Sequence, residues 1–244
     1  TGGIVSSAYY TQTDKVMTIS GCTNSGEVSS TAGYVGGIVG MSAANISGCT
    51  NSGVVTGNAT SVGGVVGEQK CYGSITGCTN TALITNQSSG YGTGGIVGWV
   101  RYTNESAYEV VAPITVSGCL NTGSVKGGND AGGIIGTAYN NVVVKDCLNT
   151  AASLDVNTFL TGKIFAAGII GNFQTHEDFT GVGITNALTV SGNCSTTTLE
   201  QMTGNCKDEI VYNNDATLQS GVTGNFTSVA EWQTAGNGSW YTQA

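Results

Sequence analysis

Apolar residues fall in short clusters along this chain, and the clusters recur. One is Gly-Gly-apolar-apolar-Gly: Gly36-Gly37-Ile38-Val39-Gly40, Gly63-Gly64-Val65-Val66-Gly67, Gly94-Gly95-Ile96-Val97-Gly98 and Gly132-Gly133-Ile134-Ile135-Gly136. Ala167-Gly168-Ile169-Ile170-Gly171 has lost the first glycine, and Gly2-Gly3-Ile4-Val5-Ser6 is a degenerate opening copy. Successive starts lie 34, 27, 31, 38 and 35 residues apart. A second cluster sits between them: an Ile or Val, then a Cys three residues on, then an Asn two further. It reads Ile19–Cys22–Asn24, Ile46–Cys49–Asn51, Ile75–Cys78–Asn80, Val116–Cys119–Asn121 and Val144–Cys147–Asn149. A third apolar position follows at Val28, Val55, Ile84 and Val125, slipping by one residue to Leu154 in the fifth copy. A sixth copy is degraded, keeping Val190 and Cys194 but with Thr196 in place of the Asn.

These segments are strand-sized, lack a helical period, and are bounded by Gly, Asn and Ser turn signals. Three strands in about 27 residues make one coil of a three-sided parallel β-helix. A coil cannot bury its inner face alone, so coils stack and equivalent residues form ladders. The expected fold is all-β: a right-handed parallel β-helix (solenoid) of about six three-strand coils with a C-terminal cap. The hand follows from the usual crossover preference of parallel strands. Repeats span residues 1–196, and 197–244 form the cap or the end of the solenoid. The pattern assigns Cys22, Cys49, Cys78, Cys119 and Cys147 to an inward ladder, which Cys194 extends to a sixth coil. Small, weakly polar thiols suit such a site. Asn24, Asn51, Asn80, Asn121 and Asn149 are expected in tight turns, where Asn tolerates the left-handed conformation, each amide bonding to the next coil. Proline would remove a ladder donor, and the only one, Pro113, lies beside an insertion.

Composition narrows the picture. The 39 glycines among 244 residues lack a collagen period, and 9% charged residues are too few for a coiled coil or charged bundle. The net charge of −8 leaves no basic stripe for nucleic acid or anionic membrane surfaces. No apolar run is long enough to cross a membrane as a helix. The chain opens inside the repeat at Thr1, as expected of a mature product or a segment of a longer chain.

The alternation of Gly-Gly-Ile-Val-Gly with Cys-x-Asn-[Ser/Thr]-Gly-x-Val resembles the GLUG-motif repeat, over about residues 1–196. Ala82 and Ala151 depart from it where Gly26, Gly53 and Gly123 stand in other copies. The resemblance implies a non-catalytic region of a large bacterial surface protein, adhesin-like or akin to the repeat regions of IgA-specific metallopeptidases. It places the chain outside the cell or on its surface.

Eight cysteines in such a setting suggest disulfides, but the periodic ones should be stacked thiols. Parallel inward side chains do not readily adopt the disulfide dihedral. Cys194 with Cys206 is the one candidate bridge, and Cys71 stands outside the periodic set. With no CxxC pair, no His-Cys cluster and no calcium-binding repeat, no metal and no cofactor is expected.

The connection between the Gly-Gly strand and the Cys strand varies most. From the motif's last residue to the Ile or Val before the Cys it advances 6 positions in coil two and 8 in coils three and five, but 13, 18 and 19 in coils one, four and six. These insertions should line one edge, where solenoids often carry function. They hold Tyr9 and Tyr10, then Trp99, Arg101, Tyr102 and Tyr108, then Phe173 and His176. Two readings stand: the aromatics form a binding edge for a glycan or host surface protein, or they pack down and seal the insertions. Further alternatives are a filament subunit stacked end to end and a carbohydrate-active β-helix enzyme. The latter would need paired carboxylates. His176-Glu177-Asp178 is the densest set and does not recur from coil to coil, so a non-enzyme is expected.

Overall fold

The computed structural model describes residues 1–9, 16–31, 33–101, 112–139, 141–156, 165–174, 188–197, 210–213, 222–223 and 225–242. Glycine corners shape each turn of the chain. In the turn starting at Tyr34 the strands are Tyr34–Gly36, Val39–Ser42, Asn45–Ser47, Thr50–Asn51 and Val55–Gly57. Three strands were expected and five are present, because two of the three apolar segments bend. One bends at Gly37-Ile38, the other at Gly48-Cys49. Gly21, Gly48, Gly77, Gly118 and Gly192 hold the second corner with φ between 59° and 64°, and Asp146 takes it with φ 53°. The left-handed residue thus precedes the Cys; the Asn that follows lies in a strand, not in the expected turn.

Equivalent strands of successive turns pair in parallel, giving five sheets, named I to V in the chain order of that turn. Sheets I and V have five strands, IV has six, and II and III have seven, so about five turns are complete, with partial turns at the ends. The result is a β-solenoid. Its core is a stack of β-branched residues, which fit a pleated buried surface well. Sheet III aligns Ile19, Ile46, Ile75, Val116, Val144 and Val190. Sheet II aligns Val5, Val39, Val66, Val97, Ile135 and Ile170. Leu154 pairs with Val125 despite its one-residue slip.

Sheet IV carries the Asn ladder. Asn24 donates from Nδ2 to Asn51 Oδ1 at 2.9 Å, Asn51 to Asn80 at 2.9 Å, Asn80 to Asn121 at 2.9 Å and Asn121 to Asn149 at 3.0 Å. The other Nδ2 hydrogen of Asn24, Asn51, Asn80 and Asn121 goes to the backbone carbonyl two residues on, at Gly26, Gly53, Ala82 and Gly123. The amide is therefore satisfied where water is excluded. The ladder also explains why the two sequence clusters travel together. A Cβ on Gly37, Gly64, Gly95 or Gly133 would lie 2.2–2.5 Å from the side chain of Asn51, Asn80, Asn121 or Asn149 respectively. The second glycine of each pair makes room for the amide.

The cysteines run alongside. Cys22, Cys49, Cys78, Cys119 and Cys147 carry thiols, not disulfides. Cys49, Cys78, Cys119 and Cys147 place Sγ 3.7–4.0 Å from a carbonyl of the preceding turn, at Ile19, Ile46, Ile75 and Val116. The neighbouring thiol and burial push Cys78 up to about 12 and raise Cys49 and Cys119 as well. These thiols stay protonated and unreactive at neutral pH.

The sixth rung departs from the expected assignment. Leu148 pairs with Cys194 and Asn149 with Ser195. Cys194 follows Val190 by four residues, not three, so Asn193 fills the thiol position and Ser195, not Thr196, the Asn position. Asn193 Nδ2 donates to Val144 O at 3.1 Å, while Asn149 Nδ2 reaches Ser195 Oγ at 3.1 Å and Thr197 Oγ1 at 2.7 Å. Cys206 lies outside the described residues.

Beyond residue 197, Ile210–Asn213 joins sheet II and Val222–Thr223 joins sheet III. A helix, Val229–Thr234, then starts at Ser228, whose hydroxyl accepts from Glu231 N–H. Its Trp232 is fully buried against Leu148 and Cys194. Asp146 ties down the last segment, accepting from Gly238 N at 2.7 Å and Trp240 Nε1 at 2.9 Å.

Candidate binding surface

Sheets I and II meet at so tight a bend that a Cβ on Gly36, Gly63, Gly94 or Gly132 would strike a carbonyl oxygen of sheet II. Outside this bend the two sheets form a crease along the rod. One wall is a row in register after each Gly-Gly motif: Met41, Glu68, Trp99, Thr137 and Asn172. Two residues further on, Lys70, Arg101, Tyr139 and Gln174 are also in register. The facing wall carries Tyr34 and Ser61, which pair with each other, then Tyr91 beside Gly92, then Asp130.

An aromatic and charged cluster fills the middle of the crease. Trp99 stacks on Tyr91 with ring centroids 4.6 Å apart and planes 18° apart. The edge of Tyr139 meets it at 5.4 Å, and Tyr34 lies 6.4 Å away. The Arg101 guanidinium lies over the indole at 4.3 Å, and its Nε donates to Glu68 Oε1. Trp99 is 5% exposed and Glu68 fully buried, whereas Tyr91 is 50% exposed. Burial pushes the Tyr139 phenol well above its ordinary value, with Tyr91 adding to it, and burial with the Glu68 charge raises Tyr34.

One turn further, Asp130 Oδ2 accepts from Thr137 Oγ1 at 2.6 Å and Asn172 Nδ2 at 2.9 Å. Burial raises this carboxyl to about 6 against the pull of those two bonds. These contacts stitch sheet I to sheet II across the crease.

The structure sorts the residues expected to bind a ligand. Tyr10, Tyr102, Tyr108 and His176 lie outside the described residues. Phe173 does not line an edge: it is 1% exposed and packs in the main core, because it follows Asn172 in the strand and so faces inward. Tyr9 is half-buried beside Ala43, Cys71 and Tyr72, with Lys70 Nζ 4.0 Å above its ring. Trp99 packs down, and Arg101 covers it while reaching the surface. Tyr34, Tyr91, Tyr139, Glu68 and Asp130 were not anticipated. The available signal was positional: the residue after each motif's closing glycine, and the third one after it, line the crease.

A separate depression is lined by Val16, Asn45, Tyr72, Ser74, Pro113 and Thr115, with no carboxylate, imidazole or cationic group among its lining residues. Among the described residues, no group of three or more His, Cys, Asp or Glu is arranged to hold a metal ion. No helix described is long and apolar enough to cross a membrane. No protein-family profile, curated protein or solved structure matches the chain. The residues themselves therefore carry the functional argument.

Proposed function

We propose that this chain is a rigid, non-catalytic repeat module of a bacterial cell-surface protein, serving as an adhesin-like stalk that also contacts a glycan or a host surface protein. The observation that carries it is the Asn ladder, continuous through five turns and buried from Asn24 to Asn149. Such a ladder holds each turn in one register and gives a rod little freedom to bend. The resemblance to the GLUG-motif repeat points the same way. The buried carboxylates are committed to structure, Glu68 to Arg101 and Asp130 to Thr137 and Asn172, which supports a binding role over a catalytic one. End-to-end assembly ranks second. The last Asn amide is taken up by Ser195 and Thr197, and Trp232 packs beyond it, so that end does not offer an open rung.

Protease shaving of intact producing cells, with an antibody to this chain, tests the proposal. Surface-exposed, protease-sensitive antigen is expected; antigen protected until lysis would overturn it.

A further inference from the structure

We infer that the outward face of Tyr91, held on the buried Trp99 stack, is a docking platform for one neutral pyranose unit of a polysaccharide. This rests on the adhesive reading above and assigns it a site.

Tyr91 combines two properties that seldom coincide. Half of it is exposed, yet one face of its ring is stacked at 4.6 Å on an indole that is itself fixed. Tyr139 meets that indole edge-on, Arg101 covers it, and Glu68 holds Arg101. The backbone under Tyr91 is equally constrained. A Cβ on Gly90 would lie 2.4 Å from Ala59 O, and one on Gly92, at φ 146°, would lie 2.2 Å from Gly98 O. The Tyr91 carbonyl faces Thr137 Oγ1 at 3.4 Å. An aromatic ring presented flat to water and already ordered loses little entropy on binding.

The shape and charge of the surroundings select the ligand class. A single ring offers an apolar patch the size of the C–H face of one sugar, not a groove for a peptide. Arg101 is already matched by Glu68, and the chain carries a net −8, so an acidic glycan gains no cation here and meets repulsion. A neutral glycan meets neither cost, and Arg101, the partly exposed member of the pair on the same indole, offers a polar group for its hydroxyls.

Affinity electrophoresis of the whole chain through gels containing neutral glucan, mannan or galactan, or an acidic polyuronate, tests this. At least one neutral polysaccharide should retard the wild type. Tyr91→Phe, which keeps the ring, should stay within about threefold, while Tyr91→Ala and Tyr91→Leu should lose about tenfold or more. Leucine still covers Trp99 but has no flat face, and the thermal midpoint of each variant checks its folding. The inference is overturned if no neutral polysaccharide retards the wild type, if the polyuronate alone does, if Tyr91→Ala is retarded as the wild type is, or if Tyr91→Phe loses as much as Tyr91→Ala. Cell shaving keeps the two claims separate. Surface display without retardation removes the platform alone, and retardation of a protein confined within the cell removes the surface role alone.

Discussion

The sheet IV ladder and the outer crease are built on the same turns and obey opposite rules. In the ladder one residue type recurs: Asn24, Asn51, Asn80, Asn121 and Asn149 make the same bonds in turn after turn. In the crease the row in register reads Met41, Glu68, Trp99, Thr137, Asn172, different at every step. Identical residues stack into bonds that demand identity, because each Asn must be donor and acceptor at once. Different residues stack where each contact is made once. Architecture therefore resides in the repeat, and individual chemistry resides where the repeat is silent.

The sharpest way to break the ladder is through the glycine that accommodates it. A Cβ on Gly64 would lie 2.0 Å from Gly95 O and 2.5 Å from Asn80 Cγ. Neither neighbour can retreat, one being backbone and the other bonded on both sides. Gly64→Ala should yield little soluble folded protein, judged by far-ultraviolet circular dichroism and size exclusion. A cooperative, near-native melt would show that the turns can spread to admit a methyl group.

Asn80→Ala is the next step down. It removes the acceptor for Asn51 and the donor to Asn121, leaving buried polar atoms on both sides. A loss of about 3 kcal/mol is expected from urea unfolding, against little change for an exposed residue such as Thr76. A loss below about 1 kcal/mol would mean that water enters the ladder and that its bonds do not hold the register.

The same contrast decides what was legible in the sequence. Coil stacking, the inward thiols and the amide-to-amide bonds are repeated features, so the spacing of Cys and Asn exposed them. Five strands per turn were not legible, since the bends at Gly37 and Gly48 interrupt apolar segments that read as continuous. The slip at Cys194 was misread because residue type was followed where spacing rules. Val190 fixes the register, and three residues on from it stands Asn193. The crease was least legible. Tyr91 and Trp99 are close in sequence, but Tyr34 and Tyr139 reach them only through stacking of turns. Trp99 was noticed as an insertion aromatic, and the structure makes it the buried support of the exposed Tyr91.

The crease should respond to pH where the ladder does not. Asp130 has its carboxyl raised from 3.8 to about 6 by burial. An acid with a raised folded value holds its proton more tightly folded than unfolded, so its contribution to stability is greatest below about pH 4. That contribution is lost as pH rises through 6. Asp130→Asn should remove this slope. At pH 7 the variant should be more stable than the wild type by about 2–3 kcal/mol, from roughly two pH units at 1.36 kcal/mol each. At pH 3.5 the difference should nearly vanish. Thermal midpoints across pH 3.5 to 8 read this directly, and a variant whose deficit against the wild type grows as pH rises would show that the charged form is the one the crease prefers.

The smallest effect is expected where the two rules meet, at the sixth rung. Asn193 occupies a thiol position, and its bonds are individual: Oδ1 accepts from Cys147 N at 2.9 Å and Nδ2 donates to Val144 O at 3.1 Å. Asn193→Cys restores the repeat residue. The new thiol can face Val144 O as Cys147 faces Val116 O, but Cys147 N–H loses its acceptor. The exchange should cost about 1–2 kcal/mol, because a buried N–H is left unmet and the bond from Asn193 Nδ2 to Asn225 Oδ1 is lost. Amide hydrogen exchange should show the loss at Cys147 and its neighbours in the last turn, with Cys49 and Cys78 unchanged. A gain in stability would mean instead that thiol identity governs even this rung, and that the lapse of the repeat after Asn149 has no compensating bond.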